Sequence, residues 1–253
     1  MTRNSENIRN TGLARALSKL GYCSRSQAFR MIRDGLIRVN GKTVRDPERP
    51  IALGRDVIET SAGLLEAARK TYLMMNKPRG TVTTARDEKG RKTIYTLLLE
   101  LTSWVAPVGR LDMASEGLLL LTNDSEWGAR IASPQSHIEK TYHVQIAAVA
   151  GQDLVDRLKR GVRTREGDFL SVKRVAILRL GGKNSWLEIV LDEGKNRHIR
   201  RMLEALGFEV LRLVRVAIGN LQLGTLPKGK TRNLNEKEIR SLTITSRQSR
   251  VIG

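Results

Sequence analysis

After a polar opening stretch, Met1 to Asn10, the hydrophobic positions fall into periodic runs. Leu13, Leu17 and Leu20 recur at helical spacing, and Gly21 stops that helix. Ser24 stands three residues before Gln27 as a capping box, and Ala28, Met31 and Ile32 give the next helix its apolar stripe up to Gly35. Leu36 to Val39 and Lys42 to Val44 flank Asn40-Gly41, a pair that tolerates the positive φ angles of a tight hairpin. Asp46 to Pro50 reads as a loop and Asp56 to Glu59 as a last short strand. The first unit is therefore helix, helix, hairpin, strand. Residues 61–70 read as a linker with some helical character.

From Tyr72 the pattern mixes two periods. Strands are predicted at Tyr72–Asn76, Leu118–Thr122, Lys140–Ile146, Val172–Leu180, Ser185–Leu191 and Glu209–Ile218. Helices are predicted at Ser125–Ala132, Gln152–Lys159 and Asn196–Leu206. Strands and helices do not alternate regularly, which disfavours a doubly wound parallel sheet and predicts a mixed, mostly antiparallel α+β domain. The expected organisation is a small domain at 12–60, a linker at 61–70, a large domain at 71–243 and a basic tail, read as disordered, at 244–253.

Composition sharpens this picture. Lys and Arg number 45 against 26 Asp and Glu, a net charge of +19 in 253 residues, which points to a polyanionic partner. The densest apolar run, Leu118 to Leu121, is far short of the ~18 residues of a membrane span. Met1 to Asn10 has no apolar signal core, so the expected setting is the cytoplasm, with no membrane partner. The single cysteine, Cys23, gives neither a disulfide framework nor a cysteine-based zinc site, and His137, His143 and His198 lack metal-ligand spacing. No metal and no small-molecule cofactor is expected, and neither a phosphate loop nor a dinucleotide fingerprint is present.

Arg15, Lys19, Arg25, Arg30, Arg33, Arg38 and Lys42 fall on the polar side of the first unit. A charge run of this kind marks a solvated face as readily as a binding one. The string LARALSKLGYCSRSQAFRMIRDGLIRVNGKTV, however, resembles the S4 RNA-binding domain, with Ser24-Arg25 and Val39-Asn40-Gly41 as its specific marks. The resemblance implies that two helices and a hairpin grip structured RNA, with Arg25 among the contacts. It departs at Gly12, where the S4 pattern usually has a basic residue.

In the large domain, PVGRLDMASEGLLLLTND (Pro107 to Asp124) resembles the catalytic motif of the RNA pseudouridine synthases, specifically the S4-bearing bacterial rRNA enzymes of the RsuA, RluB and RluF type. The resemblance implies that Asp112 is the nucleophile. Asn76 to Gly80 (NKPRG) is similar to the family's first motif, and Glu139 to Ile146 (EKTYHVQI) to the strand that follows the aspartate. Without the family, Tyr142 reads first as a core aromatic; the resemblance implies instead that it stacks on the target base. Glu193 to Gly207 (EGKNRHIRRMLEALG) has an apolar stripe of Ile199, Met202, Leu203 and Leu206 opposite Arg197, Arg200, Arg201 and Glu204. By resemblance Arg200 pairs with the aspartate, and a neighbouring guanidinium favours the ionised carboxylate that a nucleophile needs. Lys77, Arg79, Arg110, Arg197 and Arg201 are expected to hold RNA. The match covers residues 12 to 242 and departs at Met113-Ala114-Ser115, where a Thr commonly precedes the Glu.

The expected function is isomerisation of a uridine in ribosomal RNA, leaning to the large subunit, by a monomeric enzyme. Three alternatives remain at the level of sequence. The first is the same reaction on small-subunit rRNA. The second is a non-catalytic S4-type ribosome-assembly protein. The third is a helix-turn-helix DNA binder, against which the hairpin and the large second domain argue.

Overall fold

The computed structural model describes residues 10–85, 87–99, 101 and 103–244. Of the predicted tail, Ile244 is the last residue of a helix, and residues 245–253, like the polar stretch Met1 to Arg9, lie outside the described residues.

The chain divides into two compact units. The first holds β1 (Thr11–Gly12), α1 (Leu13–Lys19), α2 (Arg25–Arg33), β2 (Ile37–Val39), β3 (Lys42–Val44), β4 (Pro50–Ile51), β5 (Ile58–Thr60) and β6 (Gly63–Leu64). The capping box at Ser24 is complete, with Gln27 N–H donating to Ser24 Oγ and Ser24 N–H donating to Gln27 Oε1. Asn40 and Gly41 both take positive φ, as the two-residue turn between β2 and β3 requires. Leu13, Leu17, Ile32, Ile37 and Ile51 are fully buried and form this unit's core. The expected helical linker differs: Gly63–Leu64 pairs with β5 as a strand, and residues 65–70 take no regular structure. Gly63 has φ +110°, which a helix cannot accommodate. The unit also takes in Glu100–Ala106 and Thr122–Ser125, so that Trp104 N–H donates to the carbonyl of Gly21 at 3.1 Å.

The second unit holds β7 (Tyr72–Lys77), β8 (Ala106–Val108), β9 (Glu116–Thr122), α3 (Ser125–Ala132), β10 (Lys140–Ile146), α4 (Gln152–Arg160), β11 (Val162–Arg163), β12 (Phe169–Leu170), β13 (Arg174–Leu180), β14 (Ser185–Leu191), α5 (His198–Ala205), β15 (Val210–Ile218), β16 (Leu221–Gln222), β17 (Thr231–Asn233) and α6 (Glu236–Ile244). Its sheet runs β13-β14-β10-β15-β9-β7-β17, with β16 added to β15 and β8 to β9. The sheet is mostly antiparallel, with one parallel pair, β9 to β15. The fold is therefore mixed α+β. Every residue of β9 is buried, consistent with the unbroken leucine run. The apolar stripe of α5 packs on Val144, Ile146, Leu187, Ile189 and Leu213 of the sheet.

Candidate active site

The site grows from the loop between β8 and β9. Thr83 Oγ1 donates to the carbonyl of Leu111 at 2.7 Å, and Ser115 N–H donates to that of Asp112 at 3.0 Å, so the loop is closed on itself and tied at one side. At the end of β7, Lys77 points inward with no exposed surface. Its ammonium donates to the carbonyls of Ser115 (2.8 Å), Asp112 (3.0 Å) and Pro78 (3.2 Å). Burial pushes the Lys77 pKa down to about 8, against the pull of the Asp112 and Glu116 carboxylates. Lys77 was expected on a flanking phosphate; its ammonium is instead spent inside the protein, bracing the loop that carries Asp112.

Glu116, at the start of β9, is a second buried charge. Arg212 Nε lies 3.0 Å from one of its oxygens and Lys228 Nζ 2.5 Å from the other. Burial alone would raise the carboxyl's pKa, and these two cations outweigh it and hold the pKa below its ordinary value. The Arg212 guanidinium in turn lies 5.4 Å from the centre of the Trp186 ring.

Beside the loop opens a cavity of about 310 Å³ within the second unit. Asp112, Tyr142 and Arg200 all line it, as do Arg110 and Arg197 at positions open to solvent. Arg200 is half-buried on α5 and donates from Nη2 to the carbonyl of Ala114 at 3.0 Å. Among the described residues it makes no ion pair with Asp112, so the expected direct pairing is replaced by a grip on the aspartate's loop. Burial lowers the Arg200 pKa, Arg197 adds to this, and the Asp112 charge opposes it. Arg197 takes φ +50°, so the helix predicted from Asn196 starts at His198 and the Arg197 side chain stays exposed.

Arg79 is exposed and donates to the carbonyl of Leu211 at 3.3 Å. Arg201 does not line the cavity. Asp168 and Glu166, on the hairpin between β11 and β12, hold its guanidinium, and its side chain is only 19% exposed. Its expected role on RNA is corrected accordingly: two acidic partners neutralise it. Arg25 lies in the first unit, exposed on the first turn of α2.

Residues of the site that were not anticipated include Ser115, Lys140 and Arg215, which line the cavity, and Glu116 beside the loop. A signal existed for Arg215. On β15 the buried positions include Leu213, Arg215 and Ala217, so strict alternation puts an arginine on the inward face.

Residues 71–205 match the RNA pseudouridylate synthase family and residues 11–57 the S4 domain. The chain belongs to the RNA pseudouridine synthase family. It is 38% identical over 227 residues to an RNA pseudouridine synthase of Aquifex aeolicus, covering 89% of this chain and 91% of that one. It is 35% identical over 232 residues to the ribosomal large subunit pseudouridine synthase B of Bacillus subtilis, covering 91% and 94%. The crystal structure of a pseudouridylate synthase superposes with a TM-score of 0.62 at 32% identity, covering 92% of this chain and 99% of that one. Among the described residues no group of histidine, cysteine and acidic side chains is arranged to hold a metal ion, and no helix is long and apolar enough to cross a membrane.

Proposed function

We propose that this synthase converts a uridine of large-subunit ribosomal RNA to pseudouridine in the cytoplasm, with Asp112 as the nucleophile. The observation that carries the reading is that Asp112, Tyr142 and Arg200, drawn from a loop, a strand and a helix, line one cavity. The large-subunit preference rests on the likeness to the Bacillus subtilis enzyme.

The reaction breaks N1–C1′ and forms C5–C1′. C5 gives up its hydrogen as a proton and N1 takes one up, so substrate and product are isomers and no outside oxidant or phosphoryl donor is consumed. The target nucleotide first leaves its stack, at a cost of a few kcal/mol. Stacking on Tyr142 offsets ~1–3 kcal/mol of that. The carboxylate of Asp112 then acts at the sugar or the base while the braced loop holds it in place. Arg79, Arg110 and Arg197, all exposed, hold flanking phosphates, and the first unit anchors a structured stretch of the same RNA through Arg25 and its neighbours.

The test is to incubate the full-length protein with unmodified transcripts of large- and small-subunit rRNA and to map pseudouridine in each. One modified uridine in the large-subunit transcript is expected. Modification confined to the small-subunit transcript would overturn the substrate assignment, and none in either would overturn the proposed activity.

A further inference from the structure

Arg215 is a buried charge that the reaction described above leaves unused. It is 6% exposed, and its Nε donates to the carbonyl of Leu118 at 2.7 Å. Among the described residues this is the guanidinium's one hydrogen bond, and no carboxylate pairs with it. Nη2 is buried with no acceptor. A guanidinium stays charged at any working pH, and unfilled donors of a buried charged group are costly, so they mark a place where a ligand supplies the acceptor.

The position of Arg215 says which acceptor. Arg215 lines the same cavity as Asp112 and Tyr142. In the antiparallel register of β10 and β15, Tyr142 and Arg215 are direct partners, so both side chains rise from one face of the sheet as neighbours. On its other side Arg215 faces Gly117 of β9, whose lack of a side chain lets the two strand backbones close up beside the cavity. Lys140 lines the cavity too, and its pKa is lowered by burial and then by the Arg215 charge, so this floor is electropositive. Leu213, Ile199 and Ile218 supply apolar walls. A flipped nucleotide puts its base against Tyr142 and these walls and leaves its phosphates with the strand outside. The edge of uracil offers two acceptors, O2 and O4, on either side of the N3–H donor.

We propose that Arg215 is a specificity-determining residue that donates to a carbonyl oxygen of the uracil ring, both before and after the ring turns. The turn that exchanges N1 for C5 is a rotation about the N3–C6 axis, and the same rotation exchanges O4 for O2. A fixed donor aimed at one carbonyl position therefore finds an oxygen there in substrate and in product. Cytosine carries an amino group in place of O4, so either before or after the turn it meets the guanidinium N–H with an N–H. This inference rests on the proposed activity.

The test uses full-length protein and an rRNA fragment bearing the mapped target as uridine, 2-thiouridine or 4-thiouridine, since sulfur is a weaker acceptor than oxygen. Arg215→Lys and Arg215→Gln are measured beside the wild type for kcat/KM and for RNA affinity. The wild type is expected to lose about 10-fold or more on at least one thio substrate. The variants are expected to lose about 10- to 100-fold on uridine, the range for a hydrogen bond from a charged donor, with RNA affinity within about 3-fold. In the variants the thio penalty should shrink towards unity, because the guanidinium donor is already gone; a merely structural role leaves that penalty unchanged. An unchanged penalty in folded variants, or wild-type rates indifferent to both thio substitutions, overturns the inference. Should neither variant fold by circular dichroism, wild-type rates indifferent to both thio substitutions still overturn the inference. A wild type that forms no pseudouridine in any rRNA overturns the proposed activity itself and this inference with it, whereas an active wild type separates the two.

Discussion

Lys77 and Asp112 are joined through the backbone: the lysine ammonium donates to the aspartate's own carbonyl at 3.0 Å and leaves its carboxylate free to face the cavity. Three carbonyls share that ammonium, and three N–H bonds are what an ammonium has and a neutral amine lacks.

Activity should therefore fall as pH rises through about 8, where Lys77 loses its proton. The sign for stability is opposite. A lysine whose folded pKa is lowered binds fewer protons folded than unfolded, so its contribution to stability rises between about 8 and its ordinary value of 10.5. A loss of kcat/KM above pH 8 with an undiminished unfolding midpoint is the expected result. A flat rate profile from pH 7 to 9.5 would remove the proposed role of the brace.

Asp112→Asn should bind rRNA within a few-fold of the wild type and form no pseudouridine, since the change keeps shape and removes the proposed nucleophile. Product measured by mass spectrometry after long incubation must be absent; appreciable turnover would contradict the assignment of Asp112.

Gly117→Ala should be strongly destabilising. Gly117 has φ +105°, and an added Cβ would lie 2.3 Å from the backbone oxygen of Arg215. Both strands are held in a sheet, so neither backbone can yield cheaply, and the cost should be about 2–4 kcal/mol. Urea unfolding measures it, and a change below about 1 kcal/mol would show that the parallel junction is more pliant than its geometry implies.

The first unit carries 14 Lys and Arg against 7 Asp and Glu through residue 70. Arg25→Ala should weaken binding to an rRNA fragment and make the log–log salt slope shallower by ~0.7 to 0.9, the share of a single neutralised phosphate. The effect should appear in KM more than in kcat. Identical slopes for variant and wild type would take Arg25 off the RNA. The whole first unit is a poorer target for deletion, because Trp104 N–H would lose the carbonyl of Gly21.

Local signals were the legible ones. The capping box at Ser24, the Asn40-Gly41 turn, the leucines of β9 and the stripe of α5 each state their structure within one window of sequence. Lys77 and Arg201 misled because a basic residue beside a turn or on a helix face ordinarily faces water. What turned them inward lies far along the chain: Ser115 is 38 residues from Lys77, and Asp168 is 33 from Arg201. The Arg200 hydrogen bond to Ala114 spans 86 residues and was equally invisible to periodicity. Arg215 was legible in principle, but only by asking why an arginine shares the inward face of its strand with Leu213 and Ala217.

The parallel pairing of β9 with β15 also sets when the site can exist. Val214 meets Glu116, and Arg215 meets Gly117, across nearly a hundred residues of intervening chain. That chain includes α3, β10, α4, β14 and α5, so two other walls of the cavity are made before the strand that closes it. Long closures of this kind are slow to nucleate, since their entropy is lost before any contact repays it. During synthesis the Asp112 loop is thus without its partner strand until Val214 and Arg215 have left the ribosome, and the cavity cannot close before then.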